Sequence, residues 1–429
     1  DGTDKFFPGK KYAYFPSVSL AWKLSNEPFM KHISWIDQLK IRGSYGQTGN
    51  DNLGSSLYGT FSLAAQYIKF SNNSVTYVPY LLSGPDYPNV TWEKTTMKNI
   101  GIDFSVLKDR IWGSFDMFRN DVTNLLGYDS ASPLSMTSSV PMNYGRYVRY
   151  GWDATINSLN FEIPRVFKWT SQLTLSHHNA VWKERMPNYY YEEYRIRKNE
   201  PVNAYYYYET EGVINIDKSN MPESQKSLPA DAQQPGYPII KDANGDNKIT
   251  IDDVKMRNTL PKIHIGFGNT FVYKDFDLDV FMYGQFGRTR YNYAYRWALV
   301  GDVYYTSPKN SNKYVYTIWN SQTNQNGNRR GIASTKAVAL PGNVGFEEDY
   351  QNASFVRVRN ITLGYNLSGK KLGRVGDYVS SIRVFVDCQN PLTFTKFVGV
   401  DPEIKTGGDG SKAEYPMTRT YSFGAKICF

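Results

Sequence analysis

The sequence predicts an all-β fold, an antiparallel transmembrane β-barrel to which these 429 residues contribute roughly eleven strands, about half of a 22-stranded wall. Three observations carry that prediction. Apolar and polar residues alternate with period two over many separate segments. With 35 Tyr, 23 Phe and 9 Trp, the chain has far more amphipathic rings than a soluble core requires, whereas a membrane barrel places such rings in girdles at both water–lipid boundaries. The connections between the alternating segments are, in strict turn, short and long.

The C-terminus shows the alternation most clearly. Tyr421, Phe423, Ala425, Ile427 and Phe429 share one face, and Ser422, Gly424, Lys426 and Cys428 the other. Ile100, Ile102, Phe104 and Val106 repeat the pattern, as do Phe167, Trp169, Leu173 and Leu175 against Lys168, Thr170, Gln172 and Thr174. Two apolar stripes, Ile263 to Tyr273 and Phe276 to Phe286, flank Lys274-Asp275 and predict a tight hairpin.

Applied to the whole chain, the pattern places strands near 12–22, 37–48, 92–106, 110–119, 146–158, 166–177, 262–273, 276–287, 354–367, 381–395 and 418–429. The gaps 23–36, 107–109, 159–165, 274–275 and 368–380 are short, and 49–91, 120–145, 178–261, 288–353 and 396–417 are long. Short periplasmic turns and long extracellular loops are the asymmetry of bacterial outer-membrane barrels, which puts Phe429 on the periplasmic side. A phase slip around Val356 and Val358 predicts a bulge. Trp112 and Phe118 are misplaced on an otherwise polar face.

Composition sets the remaining bounds. A mean hydropathy of −0.52, with no run of about 18 apolar residues, excludes a transmembrane helix but not a barrel, whose strands alternate. The net charge of +9 comes from scattered Lys and Arg and does not point to nucleic acid. Two cysteines, Cys388 and Cys428, are too few for a disulfide framework. An outer-membrane protein needs an export signal, and none precedes Asp1, so the expectation is a processed or partial chain. Eleven strands cannot stand open in lipid, so the rest of the wall is expected upstream.

Segments spread along the chain resemble SusC/RagA-type TonB-linked outer-membrane proteins. Phe15-Pro16-Ser17-Val18-Ser19-Leu20-Ala21-Trp22 and Lys40-Ile41-Arg42-Gly43-Ser44-Tyr45-Gly46-Gln47-Thr48-Gly49-Asn50 resemble the family's mid-barrel signature. Trp92-Glu93-Lys94-Thr95, the Asp-rich stretch Lys241 to Asp246 with Phe276-Asp277-Leu278, the run Ala353 to Tyr365, and Gln389-Asn390-Pro391 through Asp401-Pro402-Glu403 are similar to later family segments. The resemblance implies a cell outer membrane location and TonB-dependent import of glycans or oligopeptides. It also implies a SusD-like surface lipoprotein over the barrel mouth, and a plug domain and TonB-contacting segment that these residues do not contain. In such a protein Phe429 is expected to be the mark read by the assembly machinery, besides being one more lipid-facing ring.

Within the longest loop, 178–261, the stretch 242–253 reads as a calcium loop. Asp242, Asn244 and Asp246 occupy positions one, three and five, the Lys248 carbonyl position seven and the Asp253 carboxylate position twelve. Asn247 replaces the usual sixth-position Gly, and Asp253 is shorter than the usual Glu. An Asx-bonded turn without metal is the plainer reading. Tyr189, Tyr190, Tyr191, Tyr205, Tyr206, Tyr207 and Tyr208 lie in the same loop, where rings could meet substrate or lid. Because Pro201 to Gly212 also resembles a family framework segment, structural packing is the stronger expectation there. Tyr291, Tyr293, Tyr295 and Trp297 have the spacing of a strand extension. His177 and His178, neighbours in a strand, point to opposite faces and cannot form a metal pair.

No catalytic constellation is visible, so no enzyme activity is expected. A passive porin and a soluble all-β carbohydrate-binding protein are the alternatives, the last distinguished by extraction without detergent.

Overall fold

A computed structural model describes residues 1–54, 57–63, 68–69, 76–77, 80–131, 139–185, 199–292, 316–331, 340–398, 401–403 and 417–429. Its principal element is one eleven-stranded sheet in which each strand pairs antiparallel with its neighbours in chain order. We number these strands β1 (Ser17–Lys23), β2 (Ile36–Asn50), β3 (Glu93–Val106), β4 (Ile111–Ser130), β5 (Ser139–Ile163), β6 (Phe167–Glu184), β7 (Ile263–Tyr273), β8 (Phe276–Phe286), β9 (Phe355–Ser368), β10 (Ser381–Thr395) and β11 (Thr420–Cys428). The sheet does not close on itself, since β1 and β11 are its two edges.

The short connections are made by residues that accept left-handed backbone. Lys274 (φ 53°) turns the β7–β8 hairpin and Arg165 (φ 64°) the β5–β6 hairpin, while Leu107, Lys108 and Asp109 (φ 57–59°) turn β3 into β4. The connections 24–35 and 369–380 are built on short 3₁₀ turns.

Register decides which residues share a face. Trp22, Ile41, Ile102 and Phe115 stand abreast on β1 to β4. On β8 to β11 the corresponding row is Leu278, Leu363, Val386 and Phe423. These rows are exposed or half-exposed, with Leu363 50% and Phe423 90% accessible, and among the described residues no second sheet covers them. An apolar face left open over a whole sheet is a lipid-facing surface, and the stabilisation from removing it from water comes from the bilayer.

The opposite, inner face carries charge. On β2, Arg42 donates from both terminal nitrogens to the Asp116 carboxylate on β4 at 2.6 and 2.7 Å, and from Nε to Asp103 on β3 at 3.0 Å. Between them lies Gly101, where a Cβ would sit 2.5 Å from Asp116 Oδ1. The same device recurs on β8 to β10: Arg383 pairs with Asp277 across Gly364, whose Cβ would meet Asp277 Oδ2 at 2.5 Å, and Asn366 donates to Asp277 Oδ1 at 2.6 Å. In each case a missing side chain in the middle strand lets an ion pair span two strand spacings. The Arg383–Asp277 pair lies at the short-turn ends of its strands, whereas Arg42 is midway along β2.

The expected slip in β9 is a bulge at Arg359, the extra residue between the Val358–Met282 and Asn360–Phe281 pairs, with Asn390 left-handed (φ 50°) on the other neighbour. Trp112 and Phe118 do stand on the inner face with Asp116.

Four strands have boundaries that differ from the sequence reading, β6 among them, which runs on to Glu184 rather than ending at 177. β1 begins at Ser17 rather than 12, because Pro16 has no N–H for the ladder and residues 1–13 instead dock through Phe6 against Trp92. β4 and β5 extend over 20 and 25 residues, where about 9–11 cross a membrane, so much of the expected loop 120–145 is a two-stranded projection beyond the bilayer. The alternation signal disappears there because the ribbon leaves the lipid, with Leu126 packing against the cluster around Leu57 and Trp92, and kinks, with Asn124 (φ 54°) and Gly145 (φ 67°) both left-handed.

Both cysteines are free thiols. Register puts Cys428 beside Ser381 and Cys388 beside Tyr421, roughly 24 Å apart along the strands, well beyond the ~7 Å a disulfide can bridge. Alkylation of the denatured, unreduced protein should therefore modify both; a protein that resists alkylation until reduced would contradict this register.

Candidate functional site

The long connections build a hydrophobic core of their own on the loop side of the sheet. Tyr208, Ile214, Leu228, Tyr237, Ile240, Ile249, Val254 and Phe346 are buried together there. Strand Ala204–Tyr208 carries this core because its side chains alternate. Tyr206 and Tyr208 pack inward, and the Tyr208 hydroxyl lies 3.0 Å from the carbonyls of Thr250 and Pro341. Tyr205 and Tyr207 turn the other way and meet Tyr350, Tyr205 stacked on it at 3.8 Å between centroids. Tyr291 packs edge-on against Tyr350 at 5.3 Å.

Between this tyrosine group and the inner face of the sheet lies a cleft of about 420 Å³, adjoined by one of about 830 Å³ that Trp152, His177 and Ile263 also line. His178, Leu260, Pro261, Arg288 and Thr289 line both. Three barrel strands furnish the floor. His178 is near the outer end of β6, and its ring stacks on His264 of β7 at 5.4 Å, while Gln285 of β8 pairs in register with His264. Gln285 Oε1 accepts from Arg288 at 2.8 Å. Burial lowers the pKa of the Arg288 guanidinium, though not out of the charged form, and pushes the Tyr205 and Tyr207 phenols up, so both stay neutral.

His177 points away from His178, its Nδ1 lying 2.5 Å from the Lys262 carbonyl and its ring tilted against Trp152. The two histidines thus part to opposite faces, but sequence reasoning did not foresee that His178 would find an imidazole from a distant strand. A faint signal existed: His264 stands on the inner stripe of β7 followed by Gly266, Gly268 and Thr270, where a ring is out of pattern. Arg288, Tyr291 and Tyr350 were unreadable as a site because loops of unknown path bring them together.

In the 242–253 loop, the Asp242 carboxylate accepts from the backbone N–H groups of Gly245 and Asn247, both at 2.7 Å. Asn244 accepts from Asp246 N at 3.0 Å, Asp246 from Lys248 N at 2.9 Å, and Asp253 from Ala243 N and Thr250 N at 2.7 and 2.8 Å. Asn247 is left-handed, with φ 61°. These Asx bonds account for the turn by themselves. Among the described residues no group of three or more His, Cys, Asp or Glu side chains is arranged to hold a metal ion. Tyr189, Tyr190 and Tyr191, like Tyr293, Tyr295 and Trp297, lie outside the described residues. Phe429 follows the last paired residue and is 90% exposed.

One long sheet, apolar outside and charged inside, short-turned at one rim and bearing folded loops at the other, defines the wall of an outer-membrane barrel. Residues 1–390 match the family described as TonB dependent receptor-like, beta-barrel, and the chain belongs to that family. TonB-dependent receptor P3 of Formosa agariphila is 27% identical over 454 aligned residues, covering 100% of this chain and 43% of that protein. TonB-dependent receptor SusC of Bacteroides thetaiotaomicron is 27% identical over 450 residues, covering 100% of this chain and 41% of its own length. The RagAB peptide importer in its closed-closed state superposes with a TM-score of 0.76 at 19% identity, over 99% of this chain and 44% of that one, a likeness of fold. The chain spans less than half the length of the curated relatives it matches. The family is one of receptors and transporters rather than enzymes, and its barrels lie in the outer membrane.

Proposed function

We propose that this chain is part of the wall and outer mouth of a TonB-dependent importer of glycan or oligopeptide nutrients, working with a SusD-like lipoprotein that closes over the loops and without catalytic activity of its own. The observation that carries the reading is family membership over residues 1–390. Support comes from the cleft, which opens at the loop rim between a rigid strand floor and a folded, aromatic loop platform, as a captured substrate requires. Cells carrying the full-length protein should accumulate labelled oligomers of one nutrient class and lose uptake when the proton-motive force is collapsed. Uptake indifferent to an uncoupler points to the passive porin instead. Solubilisation in mild detergent should co-purify a lipoprotein partner, and its consistent absence removes that part of the proposal. A soluble carbohydrate-binding protein does not fit an uncovered apolar face eleven strands wide.

The stretch 242–253 is proposed as a structural Ca²⁺ site on its ligand spacing and the left-handed Asn247. Asp242, Asn244, Asp246, the Lys248 carbonyl and Asp253 would hold the ion through lone pairs not given to backbone N–H groups. Chelation should then speed proteolysis within this loop severalfold. Cleavage at the same rate with and without chelator leaves the Asx bonds as the whole explanation.

A further inference from the structure

The two adjoining clefts have a lopsided charge. Arg257, Lys262, Arg288 and Arg290 line them, and no aspartate or glutamate does. Elsewhere the buried arginines of this region are neutralised. Arg357 holds Asp401 and Glu403, Arg330 holds Glu348 and Asp349, and at the cleft edge Arg257 reaches Glu347 at 3.2 Å. Arg290 is engaged by the Pro402 carbonyl at 3.0 Å. Arg288 is different: half-buried, it donates to the neutral Gln285 amide oxygen, and among the described residues no carboxylate is within ion-pair distance. The carboxylates that act on it, Glu403 and Asp401, do so from a distance and are already bound by Arg357, so a guanidinium partly withdrawn from water here costs free energy that a directly bound anion would recover. The same wall holds a second unmet need, since His264 Nε2 is buried without a hydrogen-bond partner. Beside these groups lie the flat rings of the Tyr205–Tyr350 stack, a surface suited to a sugar or peptide plane.

We infer that this cleft is an oxyanion subsite, in which Arg288 receives a carboxylate of the imported oligomer, His264 lies within the same pocket, and Tyr205 and Tyr350 support the adjoining unit. The inference rests on the import reading and narrows it to acidic substrates. Fork-shaped donation from guanidinium to carboxylate makes Arg the fitting residue and Lys a poorer one. Two sources carry the same group, a uronic acid in an oligosaccharide and an acidic side chain or C-terminus in an oligopeptide.

The test uses the full-length protein, purified with whatever lipoprotein accompanies it, and four probes: a trigalacturonide and its methyl-ester form, and an acidic peptide and its amidated, uncharged form. The expected result is that one charged probe binds at least about 10-fold more tightly than its neutral partner, and that Arg288→Gln abolishes this preference. Arg288→Lys should retain part of the preference. Heat-modifiable gel mobility confirms that each variant is assembled. Equal affinity for charged and neutral probes, a preference unaffected by Arg288→Gln, or no binding of any probe overturns the subsite. Uptake in cells separates this failure from that of the import reading: energised uptake of neutral oligomers with no charge preference removes only the subsite, whereas absence of energised uptake of every oligomer removes both.

Discussion

Replacing Arg357 with Met is expected to cost about 3–5 kcal/mol of stability and to release the segment around Asp401 to protease, because the change leaves the buried Asp401 and the partly buried Glu403 without their cation. Arg357 is 1% exposed, donates to both oxygens of Asp401 at 2.7 and 2.8 Å and to Glu403 at 3.0 Å, and also donates from Nε to Thr393 Oγ1 at 3.0 Å. Tyr283 of β8 is hydrogen-bonded to the same Glu403. One side chain on β9 thus fastens the connection that follows β10 down onto the inner face. Arg357→Lys, which keeps the charge but not the fork, is expected to fall between the two. The measurement is the urea midpoint of the protein refolded in vesicles, with limited proteolysis as the local readout. An Arg357→Met protein with an unchanged midpoint and an intact 396–417 connection would show the cluster to be dispensable.

Gly101→Val is expected to have a comparable effect for the opposite reason, too much substance rather than too little. A branched side chain has no room where a Cβ alone would sit 2.5 Å from Asp116 Oδ1 and 2.8 Å from Arg42 Cζ. The Arg42–Asp116 bridge must open or the strands must part, a cost of about 1–3 kcal/mol for the overpacking alone and more if the two charges lose each other. The heat-modifiable, folded fraction should fall relative to wild type. Gly43→Val on the neighbouring strand, whose nearest neighbouring atom is 3.9 Å from the ideal Cβ, is the control and should assemble normally.

The strand framework was legible because a membrane wall asks one simple thing of its sequence. Each residue faces either lipid or the inner surface, so Ile100, Ile102 and Phe104 declare their strand without help from distant residues. Legibility ended where the environment stopped being two-sided. The outer reaches of β4 and β5 pass beyond the lipid and are mostly half-buried on both faces, so Tyr128 and Asp129 carry no contrast for a reader to find. The cleft was hidden for a different reason. Its floor joins His178 and His264, and its roof joins Tyr205 and Tyr350, partners set by the paths of long loops that no local period encodes. The stretch 242–253 reads from its spacing as a calcium loop, and the Asx bonds found there belong to the alternative turn as much as to an ion-binding one.

The two glycine-spanning ion pairs bear on how the wall carries load. Ordinary cross-strand contacts bind each stave to the next, so a pull along the circumference can open one seam at a time. A tether that skips a stave makes two adjacent seams give way together, as a hoop does on a cask. One tether, Arg383–Asp277, sits at the short-turn rim and the other crosses the middle of the wall, so neither braces the opposite mouth, and ovalisation under stress should begin there, where the loops and the cleft are.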